Sequence, residues 1–250
     1  MEKYISKKEK ASYGFAAVGS YMVAGITQSY LMYFFTDILI IPSAFVMMLM
    51  IVARAWDALN DPMMGVIVDR TSTKYGKMRP YVLIGSFLML VTTIVLFMPL
   101  TGAPTMFKMI FAAVSYIIFG MAYTLTDVPA MGLMSVATPN SDERASLLSF
   151  YVTVGSVGSL LPVGLLTIFQ SFIPEKYVYF AMSIFVGIIT SAAYLTLFKN
   201  SKERFSTHTE KIAVRDMIKA AGKNKPMMMA LLMSLSLIHI SEPTRPEPIS

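Results

Sequence analysis

The sequence predicts an all-α membrane protein built as a bundle of six spanning helices, and three observations carry that expectation. Charged residues make up 14% of the chain and apolar residues 55%, with a mean hydropathy of +0.60. A soluble domain of this length would be about a quarter charged. Apolar runs long enough to cross a bilayer, which takes about 20 residues, recur with short polar breaks between them. Finally, the cations fall almost entirely in alternate breaks, as they do when loops stay on one side of a membrane.

In order, the runs cover residues 13–38, 43–68, 80–100, 107–131, 147–172 and 177–198. The first follows a basic stretch, Met1 to Lys10, which superficially resembles a secretory leader. It is too long for a leader's apolar core and lacks a small-residue cleavage pattern, so it reads as a retained helix. Turn chemistry separates the runs at Ile41-Pro42-Ser43, Thr101-Gly102-Ala103-Pro104, Pro139-Asn140-Ser141-Asp142 and Ile173-Pro174-Glu175. One set of alternate segments holds Lys3, Lys7, Lys8 and Lys10, then Arg70, Lys74, Lys77 and Arg79, then Arg144, then the cations from Lys199 to Lys225. The opposite set holds only Lys108 and Lys176. This bias predicts a cytoplasmic N-terminus in a multi-pass protein of the cell (inner) membrane. It also explains the net charge of +6. A nucleic-acid footprint would instead need one contiguous basic face, so no nucleic-acid partner is expected.

The expected organisation is a transmembrane bundle over 1–198, a cytoplasmic central loop over 199–225 and the start of a seventh helix over 226–234. Within the loop, Ile212, Val214, Met217, Ile218 and Ala221 suit either one face of an interfacial helix or a solvated basic linker. Residues 235–250, from Leu235-Ser236-Leu237-Ile238-His239-Ile240 onward, resemble the translation of a transposase adapter used to prepare sequencing libraries and are assigned no function. The natural protein is therefore expected to continue beyond Ser234.

Ionised side chains inside a span cost about 2.5 to 3.5 kcal/mol each on insertion scales, so each needs a reason. The second run holds Arg54, Asp57 and Asp61, and the fourth holds Asp127. The spacing of 54, 57 and 61 puts all three on one helix face, which must line the bundle interior or a wet cavity. Asp57 and Asp61 stand four apart, roughly 6 Å between Cβ atoms, close enough for both to approach one small cation. Asp127 and the Thr124 hydroxyl could add ligands from the fourth run. Oxygen ligands suit Na⁺, Li⁺ or H⁺ as the exchangeable ion. The alternative is structural, with Arg54 neutralising one aspartate. Asn60 is as suited to tying helices together as to contacting a ligand, and Pro62 and Pro129 free backbone carbonyls or merely bend their helices.

The run Ala53-Arg54-Ala55-Trp56-Asp57-Ala58-Leu59-Asn60-Asp61-Pro62-Met63-Met64-Gly65 resembles the second helix of the glycoside-pentoside-hexuronide:cation symporters. Similar matches are Tyr30-Leu31-Met32-Tyr33-Phe34-Phe35-Thr36-Asp37, Asp69-Arg70 with Tyr75-Gly76-Lys77-Met78-Arg79-Pro80, and Tyr123-Thr124-Leu125-Thr126-Asp127-Val128-Pro129. The resemblance runs from residue 13 to residue 233. It implies the N-terminal six-helix bundle of a twelve-helix major facilitator fold that transports a sugar or glycoside with a cation by alternating access. It also implies a cation site at Asp57, Asp61, Thr124 and Asp127 (Na⁺ ligands if sodium-coupled), with Asp127 and Tyr123 near the sugar. The loop residues Gly65, Asp69, Arg70, Gly76, Lys77 and Arg79 would either lock one conformation or serve as plain topology signal.

Departures concern the substrate. A Lys-Asp pair known in the first helix of the family is here Ser20-Tyr21, the tryptophan two residues after the fourth-helix proline is Met131, and no arginine follows Glu143-Arg144 in the fifth helix. Tyr21 and Tyr151 are candidates to stack on a sugar ring instead. The expected ligands are a small sugar or glycoside and membrane lipid, with no obligate protein partner, no cofactor beyond the coupling ion and no enzymatic activity. The rivals are a lipid or amphiphile carrier, a truncated fragment without function, and an intramembrane aspartyl protease. The last fits poorly, since such enzymes place their acids on separate helices, whereas Asp57 and Asp61 share one.

Overall fold

In the computed structural model, residues 4–205 are described. The expected interfacial segment, the seventh-helix start over 226–234 and the adapter-like tail over 235–250 lie outside them.

All six expected runs are helices: α1 (Lys7–Tyr33), α2 (Ser43–Arg70), α3 (Arg79–Leu96), α4 (Thr105–Ala137), α5 (Ser141–Gln170) and α6 (Glu175–Asn200). A π-helical turn, Phe34–Ile38, prolongs α1. No strand occurs among the described residues. Helices α1 and α5 begin before their apolar runs, because polar caps set their starts. The Ser6 hydroxyl accepts from the Glu9 amide at 3.1 Å to start α1, and Asn140 accepts from the amides of Asp142 and Glu143 to start α5. Pro42, Pro104 and Pro174 precede α2, α4 and α6, where a missing amide proton costs nothing.

Five of these helices, α2 to α6, are long and apolar enough to cross a membrane. Although α1 is 27 residues long, Ser12, Ser20, Thr27 and Gln28 and its charged first turn dilute it. Its polar residues are accommodated by position, since α1 packs between α5 and α6 and buries Ser12, Ser20 and Thr27. Glycine permits the tightest contact: a Cβ at Gly158 would stand 2.7 Å from the Val18 carbonyl oxygen, and one at Gly25 2.7 Å from that of Ser159. Small residues that let backbones approach are how helices pair where lipid supplies no hydrophobic drive. α3 completes the layer against α4 and α6, while α2 leans mainly on α4.

At the end carrying the basic residues, Ser201 to Phe205 forms a strap across four helices. The Glu203 carboxylate accepts from the amides of Lys77, Met78 and Arg79 at 2.8, 2.9 and 3.0 Å, which caps the positive end of α3. Gly76 makes room for it: its φ is +108°, and a Cβ there would meet the Glu203 carboxylate. Arg204 forks onto Glu9, which is 1% exposed, at 2.9 and 2.7 Å, and the amides of Arg204 and Phe205 donate to the Val136 carbonyl at the end of α4. This charge-assisted bond to Glu9 raises the Arg204 pKa. At the opposite end, buried Lys108 donates to the Leu39 carbonyl at 2.9 Å, satisfying a carbonyl where the first helix terminates.

Removing one member of a buried pair leaves the other uncompensated. Arg204→Ala is therefore expected to cost about 3 kcal/mol, and the double variant Arg204→Ala/Glu9→Gln to recover much of it, read as thermal midpoints of the purified protein. Glu143 gives a pH dependence. Burial pushes its carboxyl up, but hydrogen bonds from Thr138 Oγ1 and the amides of Ile5 and Tyr4 outweigh that and hold it below the ordinary value. A lowered folded-state pKa contributes stability above the unfolded pKa that is lost as pH falls through the folded value. The thermal midpoint is expected to drop from about pH 5 downward, and Glu143→Gln to flatten that drop.

Candidate functional site

Helices α1, α2 and α4 line a half-open cavity of about 550 Å³. That is the size of a small-molecule site. α2 contributes Arg54, Trp56, Asp57 and Asp61, α4 contributes Tyr116, Tyr123, Thr124 and Asp127, and α1 adds Thr27 and Gln28. The i, i+3, i+7 spacing thus brings its charges to one shared hollow.

Within the cavity the acids have different partners. Thr124 Oγ1 donates to Asp61 Oδ1 at 2.8 Å, joining α4 to α2. Asp57 lies against the α4 backbone at Gly120, where a Cβ would be 3.2 Å from its Oδ1. Asp127 accepts from Ser20 Oγ of α1 at 2.8 Å and from the Tyr194 hydroxyl of α6 at 3.3 Å. Ser20 Oγ also stands 3.1 Å from the Tyr123 hydroxyl. Among the described residues no three acidic or imidazole side chains form a metal-holding group. Asp57, Asp61 and Asp127 therefore share a cavity without sharing one ligand set in this conformation.

Arg54 makes no ion pair or hydrogen bond among the described residues, where the one ion pair within 4.0 Å joins Arg204 to Glu9. No cavity aspartate stands within ion-pairing distance of Arg54, although its charge acts on Asp57 one turn away. Asn60 is buried away from the cavity lining, with its Nδ2 unpartnered. Tyr21 and Tyr151 pack edge-on against each other, centroids 6.3 Å apart at 72°, and Tyr21 also covers Gly155. Neither ring lines the cavity, so they serve the α1–α5 contact here rather than offering a stacking platform.

Of the loop residues, Asp69, Gly76 and Lys77 border a smaller hollow of about 200 Å³ shared with Glu203. Arg79 donates to the Phe198 carbonyl at 2.7 Å and lies over the Phe198 ring at 4.9 Å. Arg70 is exposed, and Gly65 has open space beside it. The loop is thus tied to the exit of α6, a connection that sequence spacing does not reveal. Sequence reading also misses Trp56, Tyr116 and Gln28 as lining residues, and Ser20 and Tyr194 as partners of Asp127. Trp56 carried a usable signal, since it is the chain's single tryptophan and sits inside the acidic motif.

This is a multi-pass membrane protein whose acids on α2 and α4 face one cavity. It belongs to the family described as MFS/sugar transport protein, which residues 12–238 match. Similar curated proteins include "Uncharacterized symporter YjmB" of Bacillus subtilis (strain 168), 33% identical over 242 residues, covering 94% of this chain and 52% of that protein. "Inner membrane symporter YicJ" of Escherichia coli (strain K12) is 28% identical, covering 92% and 51%. "Isoprimeverose transporter" of Lactiplantibacillus pentosus is 27% identical, covering 90% and 48%. The chain spans about half the length of the curated relatives it matches.

Because Trp56 is the only tryptophan and lines the cavity, its fluorescence reports on access to it. A Gly120→Val substitution, which presses on Asp57, is expected to lower acrylamide quenching of Trp56 about two-fold or more while leaving far-ultraviolet helicity unchanged.

Proposed function

We propose that this bundle is half of a secondary active transporter that couples uptake of a glycoside or related sugar to a cation by alternating access. The observation that carries it is the set of three carboxylates on a cavity face, with Asp61 buttressed by Thr124 and no direct counter-ion on any of them among the described residues. Like charges sharing a weakly polar site repel, and an exchangeable cation relieves that repulsion. Occupancy by Na⁺, Li⁺ or H⁺ then raises sugar affinity, and linkage makes the effect reciprocal. The printed names of relatives, symporters and an isoprimeverose transporter among them, support the substrate class. The cation bias of the loops supports a cytoplasmic N-terminus, and the name of the Escherichia coli relative supports the inner membrane. The reading is transport, with no chemistry done on the substrate and no cofactor beyond the coupling ion.

The test is gradient-driven uptake into proteoliposomes by a full-length member of the family carrying this bundle. An imposed sodium or proton gradient is expected to concentrate a labelled glycoside, and Asp61→Asn to abolish accumulation. Undiminished accumulation by that variant overturns the coupling assignment. Uptake of lysolipid in place of glycoside would favour an amphiphile carrier.

A further inference from the structure

The end of α1 away from the strap combines three costly features within a few residues. The π-helical turn Phe34–Ile38 closes on a 2.9 Å bond from the Leu39 amide to the Phe34 carbonyl, and such turns are rare outside functional segments. Ile40 then takes a φ of 56°. That left-handed residue lets the Ile41 amide reach the Phe35 carbonyl at 2.9 Å, a helix ending that ordinarily uses glycine. A β-branched residue holds this conformation at a steric cost, and such outliers persist only where their surroundings impose them. Burial on either side imposes it here: Leu39 and Ile41 are 0% and 2% exposed, and Ile40 between them is 72% exposed. The third feature is Lys108, buried in the first turn of α4, which donates to the Leu39 carbonyl at 2.9 Å. It makes no other hydrogen bond and no ion pair among the described residues, so two of its three ammonium protons are left over.

Position gives this contact its consequence. α1 packs on α5 and α6 and faces α4 across the cavity. Two polar ties bridge the gap, Ser20 with Asp127 and Tyr123 at one end and Lys108 with the Leu39 carbonyl at the other. Thr27, Gln28 and Met32 of α1 line the cavity between them. Opening the second tie relieves both of its costs, since Ile40 can return to a negative φ and water can reach the ammonium. We propose that Lys108 and Ile40 form a latch whose release lets this end of α1 swing away from α4 and opens the cavity there. The inference rests on the transport reading of the cavity and adds to it a two-state element within this one bundle. It also gives a role to Lys108, one of the two cations that stand against the charge bias of the loops.

This chain has no cysteine, so Met32→Cys supplies a single thiol on the α1 wall of a full-length, otherwise cysteine-free transporter carrying this bundle. Its alkylation rate by a maleimide reads access to the cavity. Lys108→Met removes the donor and is expected to speed labelling about five-fold. Ile40→Gly removes the steric cost of the latched turn and is expected to slow labelling about five-fold. With both changes the effects act on one equilibrium and largely cancel. Unchanged labelling in Ile40→Gly beside a raised thermal midpoint marks a helix end that is strained without being a latch, and overturns the proposal. A Lys108→Met protein with a lowered midpoint and the parent's labelling rate overturns it equally. If Lys108→Met fails to fold, Ile40→Gly carries the test alone, because its exposed side chain gives up little packing. Labelling needs no transport, so the two readings fail separately. A parent that moves no glycoside while both variants shift labelling loses the transport reading and keeps the latch. A parent that transports while neither variant shifts labelling loses the latch alone.

Discussion

Everything in this bundle answers to the cost of placing carboxylates at membrane depth. Three aspartates on two helices cannot face lipid, so α2 and α4 turn their acidic stripes toward one another, and α1 supplies the third wall. That arrangement settles where the glycines and hydroxyls must be. Gly120 lets Asp57 rest against α4, Thr124 reaches Asp61, and Ser20 with Tyr194 takes up Asp127. Were any of these acids turned outward, its desolvation would outweigh the modest gain from packing a single helix.

The same principle operates at the basic end with opposite economy. Glu9 and Glu203 are fully committed there, the first to Arg204 and the second to three amides at the start of α3. Acids held this way are structural, because nothing exchangeable is needed to balance them. Of the cavity acids, Asp61 and Asp127 accept hydroxyl bonds and Asp57 accepts none, and no cation stands within ion-pairing distance of any of the three among the described residues. The strap also joins the loop between α2 and α3 to the exit of α6.

Much of this was legible in the sequence because the relevant signals are local. Run length and turn residues give six helices; Ser6 and Asn140 start α1 and α5 ahead of their apolar stretches, while α3 stops short of its run at Leu96 and α4 continues past its run to Ala137. The spacing of Arg54, Asp57 and Asp61 gives the cavity face, and the motif around Asp127 gives the facing wall. What stayed hidden depends on contacts between residues far apart in the chain. Nothing near Tyr194 marks it as a partner of Asp127, nor Glu203 as the cap of α3. Tyr21 and Tyr151, candidates for a ligand by sequence, meet each other edge-on in this conformation, a contact between α1 and α5 that no local signal announces.

The central claim is that these acids are arranged for a cation that comes and goes. Calorimetric titration of sodium into a full-length transporter carrying this bundle, with proton exchange followed by a pH indicator, addresses it most directly. The account predicts saturable binding of sodium, or proton uptake linked to glycoside binding, that disappears with Asp57→Asn. Glycoside binding that proceeds with neither sodium dependence nor proton exchange would contradict it.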